Sequence, residues 1–339
     1  MKTFEKNKLI SDRQKCAHEI RKGITCSRTA ILGSNLCWQH NQNKVVKTIK
    51  APKISLELGM LPNNALLNDK WKIIELIAKG GFGYVFKAMD VNSGEIVAIK
   101  TEHRVSSTSS INDEAYIYQS LHNNQLVPYM IYYGKAIMEV DGFDYTCVIL
   151  VLQYAGESLR KLYDKEYFCL QKMATLIPQM IDTLEYFHNN GYIHRDIKPA
   201  NFVIDEKNCV RLIDFGLAAS WKDSSGNHIK CYNNVSFKGT YKYCSLSAHQ
   251  LLTQSRKDDL ESLLYVLIYF IRGELPWENM QGTKYEQRKK IEHMKAKITT
   301  KELTKDLPSA FKLFLDYIKT LRFSEQPQYS YLKSLFIGF

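Results

Sequence analysis

His194-Arg195-Asp196-Ile197-Lys198-Pro199-Ala200-Asn201 lies past the middle of a 339-residue chain, and Asp214-Phe215-Gly216 follows 13 residues after Asn201. The first run comes after an apolar helical repeat and a turn containing Gly191. It gathers a carboxylate, an ammonium and a carboxamide into a short stretch. Asp196 can accept a hydroxyl proton and orient an attacking oxygen, Lys198 can neutralise charge on a moving phosphoryl group, and Asn201 can hold a magnesium ion. The Asp214 carboxylate is a natural ligand for magnesium bridging phosphates.

Two further motifs lie upstream. Ala78-Lys79-Gly80-Gly81-Phe82-Gly83-Tyr84-Val85 separates two strand-like runs, where glycines let backbone fold close over phosphate groups. Val97-Ala98-Ile99-Lys100 follows. A Lys inside an apolar strand needs a partner, and Glu114 on the next predicted helix can supply it, holding the ammonium against the phosphates of a nucleotide. Taken singly, the glycine run reads as a hairpin turn and Lys100 as an edge-strand surface residue. The four motifs in this order do not arise by chance.

The surrounding pattern sets the architecture. Lys72–Ile77, Tyr84–Met89, Glu95–Thr101, Tyr129–Tyr133 and Tyr145–Val151 read as strands, with turn signals at Asn92-Ser93-Gly94 and Asp141-Gly142. Ile111–Leu121 reads as a helix. Beyond Gly156 helical spacing dominates: Leu170, Ala174, Ile177, Ile181, Leu184 and Phe187 recur on one face until Asn189-Asn190-Gly191 ends it, and a second apolar helix spans about 258–271. A β-rich half followed by an α-rich half predicts an α+β chain of two lobes with a cleft between them.

Composition removes other classes. With 45% apolar and 24% charged residues the chain can build a core, so wholesale disorder is excluded. The longest apolar run, Leu263–Ile271, is half of the ~20 residues needed to cross a bilayer. The start lacks the apolar stretch of a secretory signal. An intracellular, reducing setting is therefore expected, cytoplasmic or nuclear, with the eight Cys as thiols or metal ligands. The net charge of +11 is uneven: residues 1–60 hold 12 Lys/Arg and 4 Asp/Glu, leaving 34 and 31 for the rest. The basic segment is either a solvated tail or a surface for nucleic acid or an acidic partner. Asn41–Lys53 reads as a linker, and Leu61-Pro62-Asn63-Asn64 opens the next domain.

On these motifs, residues from about 71 to 339 resemble the eukaryotic-type protein kinases. Lys198, two residues after Asp196, and Thr240 in Lys238-Gly239-Thr240 resemble the serine/threonine branch. In place of the usual Ala-Pro-Glu stands Gly239-Thr240-Tyr241-Lys242-Tyr243-Cys244-Ser245-Leu246-Ser247-Ala248-His249. Gln254-Ser255-Arg256-Lys257-Asp258-Asp259-Leu260-Glu261-Ser262-Leu263, Gly273-Glu274-Leu275-Pro276-Trp277 and Pro327-Gln328-Tyr329-Ser330-Tyr331-Leu332 follow. These strings are similar to the casein kinase 1 group and its tau-tubulin and vaccinia-related cousins. The one departure in the glycine loop is Ala78, where the family has its first glycine.

The resemblance implies a two-lobed protein kinase fold: an N-lobe over 61–152, antiparallel and β-rich with one helix, and a larger α-helical C-lobe over 153–339. It implies ATP and Mg2+, with Asp196, Lys198, Asn201, Lys100, Glu114 and Asp214 as catalytic residues and Asn201 and Asp214 as magnesium ligands. Ile77, Val85, Ala98 and Val203 would sandwich the adenine and Leu152 would be the gatekeeper. The Gln153 carbonyl and the Ala155 amide would bond the base edge. Residues 78–85 would cover the phosphates. Asp259 would support the catalytic-loop backbone. Lys242 would bind an anion near the substrate, implying acidic or phospho-primed protein substrates. Lys284 and Arg288–Lys290 are either a second anion cluster or a solvated helix face. The chain ends soon after this region, without the long inhibitory tail of many relatives, so constitutive activity is expected.

In the N-terminal segment Cys16, Cys26, Cys37 and His40 form C-x9-C-x10-C-x2-H. Three thiolates and an imidazole make a closed tetrahedral zinc set, and metal would supply the folding energy that so short a stretch lacks. Free thiols are the alternative, and His18 is a competing ligand. The stretch resembles small Cys/His modules in proteins of large DNA viruses, which implies a viral source and a virion or host-cytoplasm location. Two rival readings stay open: a non-catalytic scaffold with this fold, and a zinc-dependent nucleic-acid binder carrying an accessory catalytic domain. The presence of Lys100, Glu114, Asp196, Asn201 and Asp214 argues against the first. The few aromatics of residues 1–60, Phe4 and Trp38, argue against base stacking by the second.

Overall fold

A computed structural model describes residues 19–21, 24–25, 60–80, 83–102, 110–121, 124–140 and 143–338. The chain divides into two units between Ser55 and Leu56. In the first unit the described residues form one antiparallel pair, β1 (Glu19–Arg21) with β2 (Ile24–Thr25). Cys16, His18, Cys26, Cys37 and His40 lie outside the described residues. Among the described residues no group of three or more His, Cys, Asp or Glu could hold a metal ion. No described helix is long and apolar enough to cross a membrane.

The second unit opens with a six-stranded antiparallel sheet. Its strands are β3 (Leu66–Leu67), β4 (Trp71–Lys79), β5 (Gly83–Asp90), β6 (Ile96–Glu102), β7 (Met130–Val140) and β8 (Phe143–Gln153), in the order β3-β4-β5-β6-β8-β7. The side-chain period of two sorts each strand by face. On β5, Tyr84, Phe86 and Ala88 are buried on one face, and on β6 Val97 and Ile99 join them. With Leu67, Trp71, Ile73, Ile149 and Val151 they make a compact core, covered by Leu61 and by the partly buried Met60 and Ala65. Val85, Ala98 and Lys100 alternate onto the other face, which looks into a cleft.

The β5–β6 turn follows its residues closely: the Asn92 amide donates to Asp90 Oδ1 at 2.9 Å, and Gly94 takes φ +75°. The expected strand at Tyr129–Tyr133 is too short. The observed β7 runs to Val140, because Gly134 and Lys135 stay in the ladder opposite Ile149 and Val148 instead of breaking it.

Helix α1 (Ser110–Ser120) packs under this sheet, and its Ile111, Ala115 and Tyr118 belong to the second, larger core. The helices that follow are α2 (Leu159–Lys165), α3 (Leu170–Asn189), α4 (Leu246–His249), α5 (Arg256–Arg272), α6 (Lys284–Lys297), α7 (Thr300–Leu303), α8 (Ser309–Thr320) and α9 (Tyr329–Ser334). All but α4 contribute to that core, together with Leu150, Leu152, Phe202, Val210 and Leu212 from strands. Helix α3 buries Met173, Ile177, Met180, Ile181, Leu184 and Phe187, a spacing that keeps one stripe inward. Helix α5 is buried almost all round. It starts with a Ser255/Asp258 capping box and ends at Gly273 in the left-handed conformation, φ +84°. Short strands β9 (Glu157–Ser158), β11 (Phe202–Ile204) and β12 (Val210–Leu212) form a small sheet, and β10 (Tyr192–Ile193) pairs with β13 (Ala219–Ser220). They hold the loops that line the cleft between the β-rich and helical parts.

Candidate active site

The cleft has a volume of about 440 Å³. Its roof is β4 to β6. Gly83 comes so close to β6 that a Cβ there would lie 1.7 Å from the Thr101 carbonyl oxygen, so only glycine fits. The Gly80 amide donates to the Gly83 carbonyl at 2.9 Å and closes the base of the glycine-rich turn. Ile77, Ala78, Lys79, Gly80, Gly83, Val85 and Ala98 all line the cleft. Gly81 and Phe82 lie outside the described residues. Tyr84 departs from the expectation: its ring is fully buried in the core above the sheet, because strand alternation sends it away from Val85, so only its backbone can face a ligand.

The back of the cleft is Leu152, Gln153 and Ala155, with Val203 and Ile213 below. The Gln153 amide is used by the Tyr129 carbonyl at 3.0 Å. Ala155 follows the strand end, where its amide is left out of the ladder.

Lys100 occupies the centre. Its ammonium donates to Glu114 Oε2 and to Asp214 Oδ1, both at 2.6 Å. Burial alone would favour the neutral amine, but two converging carboxylates more than offset it and hold the Lys100 pKa above its ordinary value. Burial pushes the Glu114 carboxyl up against the pull of Lys100. For Asp214 burial also acts upward, and here Lys100 wins and brings the pKa down to about 2. Glu114 Oε1 accepts the Phe215 amide at 3.2 Å, so one buried carboxylate ties α1 both to β6 and to the Asp214-Phe215-Gly216 turn. The Phe215 ring fixes that turn from below: its centroid lies 4.6 Å from Phe187, 4.5 Å from Tyr118 and 5.8 Å from His194.

The second polar group is built on the loop after β10. Asp196 Oδ2 accepts from Lys198 at 2.6 Å and Oδ1 accepts from the Thr240 hydroxyl at 2.7 Å. Asn201 Nδ2 donates to the Asp196 carbonyl at 2.9 Å, which turns the carboxamide oxygen of the same side chain away from that carbonyl. His194 Nδ1 accepts the Asp196 amide at 3.2 Å, so Nε2 carries the hydrogen that bonds the Ile213 carbonyl at 2.9 Å. Arg195 and Asp214 are non-glycine residues in the left-handed region, with φ +64° and +66°. Such strain persists only where the surroundings over-determine it. For Arg195 the restraint is Asp259: its carboxylate takes the His194 amide at 2.6 Å and the Arg195 amide at 2.9 Å. The Arg195 guanidinium bonds the Leu217 and Ala218 carbonyls at 2.7 and 3.3 Å.

All the sequence-predicted catalytic residues, Lys100, Glu114, Asp196, Lys198, Asn201 and Asp214, thus line one cleft. Residues that the sequence reading passed over also line it, among them Tyr118, Pro128, Gly156, Ser158 and Leu217. Ser158 and Gly156 lie just beyond the strand that carries Gln153, a position that could have suggested them. Lys242, expected to bind an anion near the substrate, lies outside the cleft lining. It pairs with Glu278 and lies 3.8 Å from the Tyr269 ring centroid, so its charge is answered within the chain. Lys289 of the second cluster pairs with Glu292 at 2.9 Å, in keeping with a solvated helix face.

The donor set suits a hard divalent cation. Asp214 Oδ2 and the Asn201 carboxamide oxygen are left over after the contacts above, and two protein oxygens are the modest contribution magnesium takes when phosphates and water complete its shell. In a comparison with protein families, the sequence model described as protein kinase domain matches residues 71–330.

Proposed function

The chain belongs to the protein kinase domain family, and from that premise we propose that it is a serine/threonine protein kinase of casein kinase 1 type. Phosphoryl transfer from ATP onto protein substrates is the activity of the family. The observation that carries the serine/threonine reading is the Asp196 carboxylate, held between Lys198 on one oxygen and Thr240 on the other.

The chain's own residues account for the chemistry in a direct way. Lys100, held charged by Glu114 and Asp214, presents an ammonium to the phosphates of ATP. Asp196 orients the substrate hydroxyl and accepts its proton as the oxygen attacks the γ-phosphorus. Lys198 neutralises charge that develops on the transferred group. Magnesium, held by Asn201 and Asp214 when bound, supplies neutralisation of the phosphate charge. The apolar walls of the cleft, Val85, Ala98, Leu152 and Val203, suit a flat base, and the hinge backbone at Gln153 and Ala155 suits its edge. Most of the rate then comes from positioning and charge complementarity.

We extend the reading to acidic or phospho-primed substrates on the family resemblance. Such a group would have to displace Glu278 from Lys242. For the N-terminal segment the proposal is a zinc knuckle of Cys16, Cys26, Cys37 and His40, supported by their spacing, with its basic charge meeting nucleic acid or an acidic partner. An intracellular location, in virion or host cytoplasm for a viral source, goes with that reading.

The test is transfer of labelled phosphate from ATP and magnesium to casein, followed by identification of the phosphorylated residue type. Wild type should label serine or threonine, and Asp196→Asn should lose at least about 10³-fold in rate. Transfer persisting in Asp196→Asn, or labelling of tyrosine alone, would overturn the assignment. No transfer by folded wild type would favour the scaffold reading.

A further inference from the structure

Lys295 lies in the last turn of α6, a helix whose Lys284, Lys289, Lys290 and Lys297 are exposed, yet it is only 6% exposed. Its stem and ammonium run between two rings, with Nζ 4.6 Å from the centroid of Tyr265 and 4.7 Å from that of Trp277. At its end are three backbone carbonyls of a single loop: Cys244 at 2.5 Å, Tyr241 at 3.3 Å and Lys242 at 3.4 Å. Three N–H donors meet three acceptors, the full capacity of an ammonium. The same loop is held by Trp277 Nε1, which donates to the Lys242 carbonyl at 2.7 Å, and by His249 Nε2, 3.1 Å from the Tyr241 carbonyl.

The position of that loop gives the arrangement its meaning. It begins at Thr240, whose hydroxyl bonds Asp196, and the Tyr243 and Cys244 amides both donate back to the Thr240 carbonyl at 2.9 Å. A hydroxyl brought to Asp196 must arrive with the flanking residues of its own chain, and loop 240–245 is what they would meet on this side. None of residues 241–245 lines the ATP cleft. An ordinary structural lysine would not need to leave water for this. Burying an ammonium without a carboxylate partner is costly, and the carbonyl dipoles and ring faces offset that cost only when all are in place.

We propose that Lys295 is a positioning residue for protein-substrate binding: its ammonium sets the conformation of residues 241–244 beside Asp196. This rests on the kinase reading and goes beyond it by assigning substrate affinity to a residue outside the cleft.

The surroundings make the arrangement sensitive to pH. Burial brings the Lys295 pKa down to about 8. The groups facing it do not titrate nearby: burial pushes the Cys244 thiol up to about 11, and burial with the Lys295 charge brings His249 down to about 3. The remaining charged neighbour, Glu261, is committed to the Leu246 amide and the Tyr265 hydroxyl at 2.8 and 2.7 Å. Above pH 8 the neutral amine keeps two donors for three carbonyls, and one carbonyl then faces a lone pair.

The test compares wild type with Lys295→Met, which keeps the stem and removes the donors. The KM for casein should rise about tenfold, the equivalent of one charge-assisted hydrogen bond, with the KM for ATP unchanged. Wild-type KM for casein should rise with pH through about 8, and that rise should vanish in the variant. Amide hydrogen exchange of the 240–246 peptide should quicken while α3 and α5 stay protected. An unchanged KM for casein, or equal rises in both KM values, overturns the proposal. If Lys295→Met does not fold, Trp277→Phe removes one donor to the same loop, and a KM for casein equal to wild type then overturns it. If wild type transfers no phosphate, the kinase reading fails, and hydrogen exchange at 240–246 still decides whether Lys295 sets the loop.

Discussion

Asp259→Asn tests how the catalytic loop is held. The Asp259 carboxylate is 1% exposed and accepts three bonds: His194 N at 2.6 Å and His188 Nε2 at 3.0 Å on Oδ2, and Arg195 N at 2.9 Å on Oδ1. Burial opposes its ionisation, but His188 and the surrounding hydrogen bonds hold the pKa below the usual carboxylate value. Burial keeps His188 neutral, so its Nε2–H points to Asp259 and its Nδ1 accepts the Tyr329 hydroxyl at 2.6 Å. An asparagine can keep its oxygen toward His188 and His194. Its NH2 then faces the Arg195 N–H, donor against donor. One charge-assisted bond is lost and two are weakened, a cost of about 3 kcal/mol. For a domain of this size that lowers Tm by roughly 6 °C. The strained Arg195 backbone would relax first, and a shift of about 1 Å at the adjacent Asp196 costs roughly 100-fold in kcat.

The sign with pH follows from the depressed pKa. The Asp259 contribution is complete above its unfolded value of about 4 and is lost as pH falls below it. The stability gap between wild type and variant should therefore close in acid. Thermal unfolding by circular dichroism from pH 3 to 7, together with casein phosphorylation, measures all three effects. A variant with wild-type Tm and wild-type kcat would refute the reasoning. A destabilised variant with full kcat would show that these bonds hold the fold but not the loop.

Two other outcomes follow from single contacts. Gly156 takes φ +96°, and a Cβ there would lie 2.0 Å from the Ile204 carbonyl oxygen. Gly156→Ala should cost about 3 kcal/mol and raise the KM for ATP, because the adjacent Ala155 is displaced; denaturant unfolding and ATP titration measure this. Glu278→Gln should free Lys242 while keeping an acceptor for the Leu275 amide, which Glu278 now binds at 2.8 Å. The KM for an acidic peptide should then fall about threefold, with that for a neutral peptide unchanged.

The sequence by itself determined the strand alternation, the two long apolar helices and the four motifs, because these follow from local period and from residue types whose chemistry is narrow. Val97-Ala98-Ile99-Lys100 shows how far that goes. Its period of two puts Lys100 on the face opposite Val97 and Ile99, and its charge demands a partner. The same period, applied one step further, sends Tyr84 into the core, so residues 78–85 do not all face the phosphates as one run. Strand β7 runs past the expected end at Tyr133 because Gly134 pairs with Ile149 in the ladder, a partner that no local pattern names.

Tertiary structure decided where each charge found its counter-charge. Asp214 is 114 residues from Lys100, and Glu278 is 36 residues from Lys242. No local pattern distinguishes a lysine that meets a carboxylate from one that meets solvent. Lys295 makes the point most sharply. It shares a helix with exposed lysines such as Lys289, and its sequence neighbourhood reads as a solvated face. Only the packing of α6 against Tyr265, Trp277 and the 241–244 carbonyls takes it out of water, because desolvation depends on which surfaces close over a side chain and not on the residues beside it in the chain.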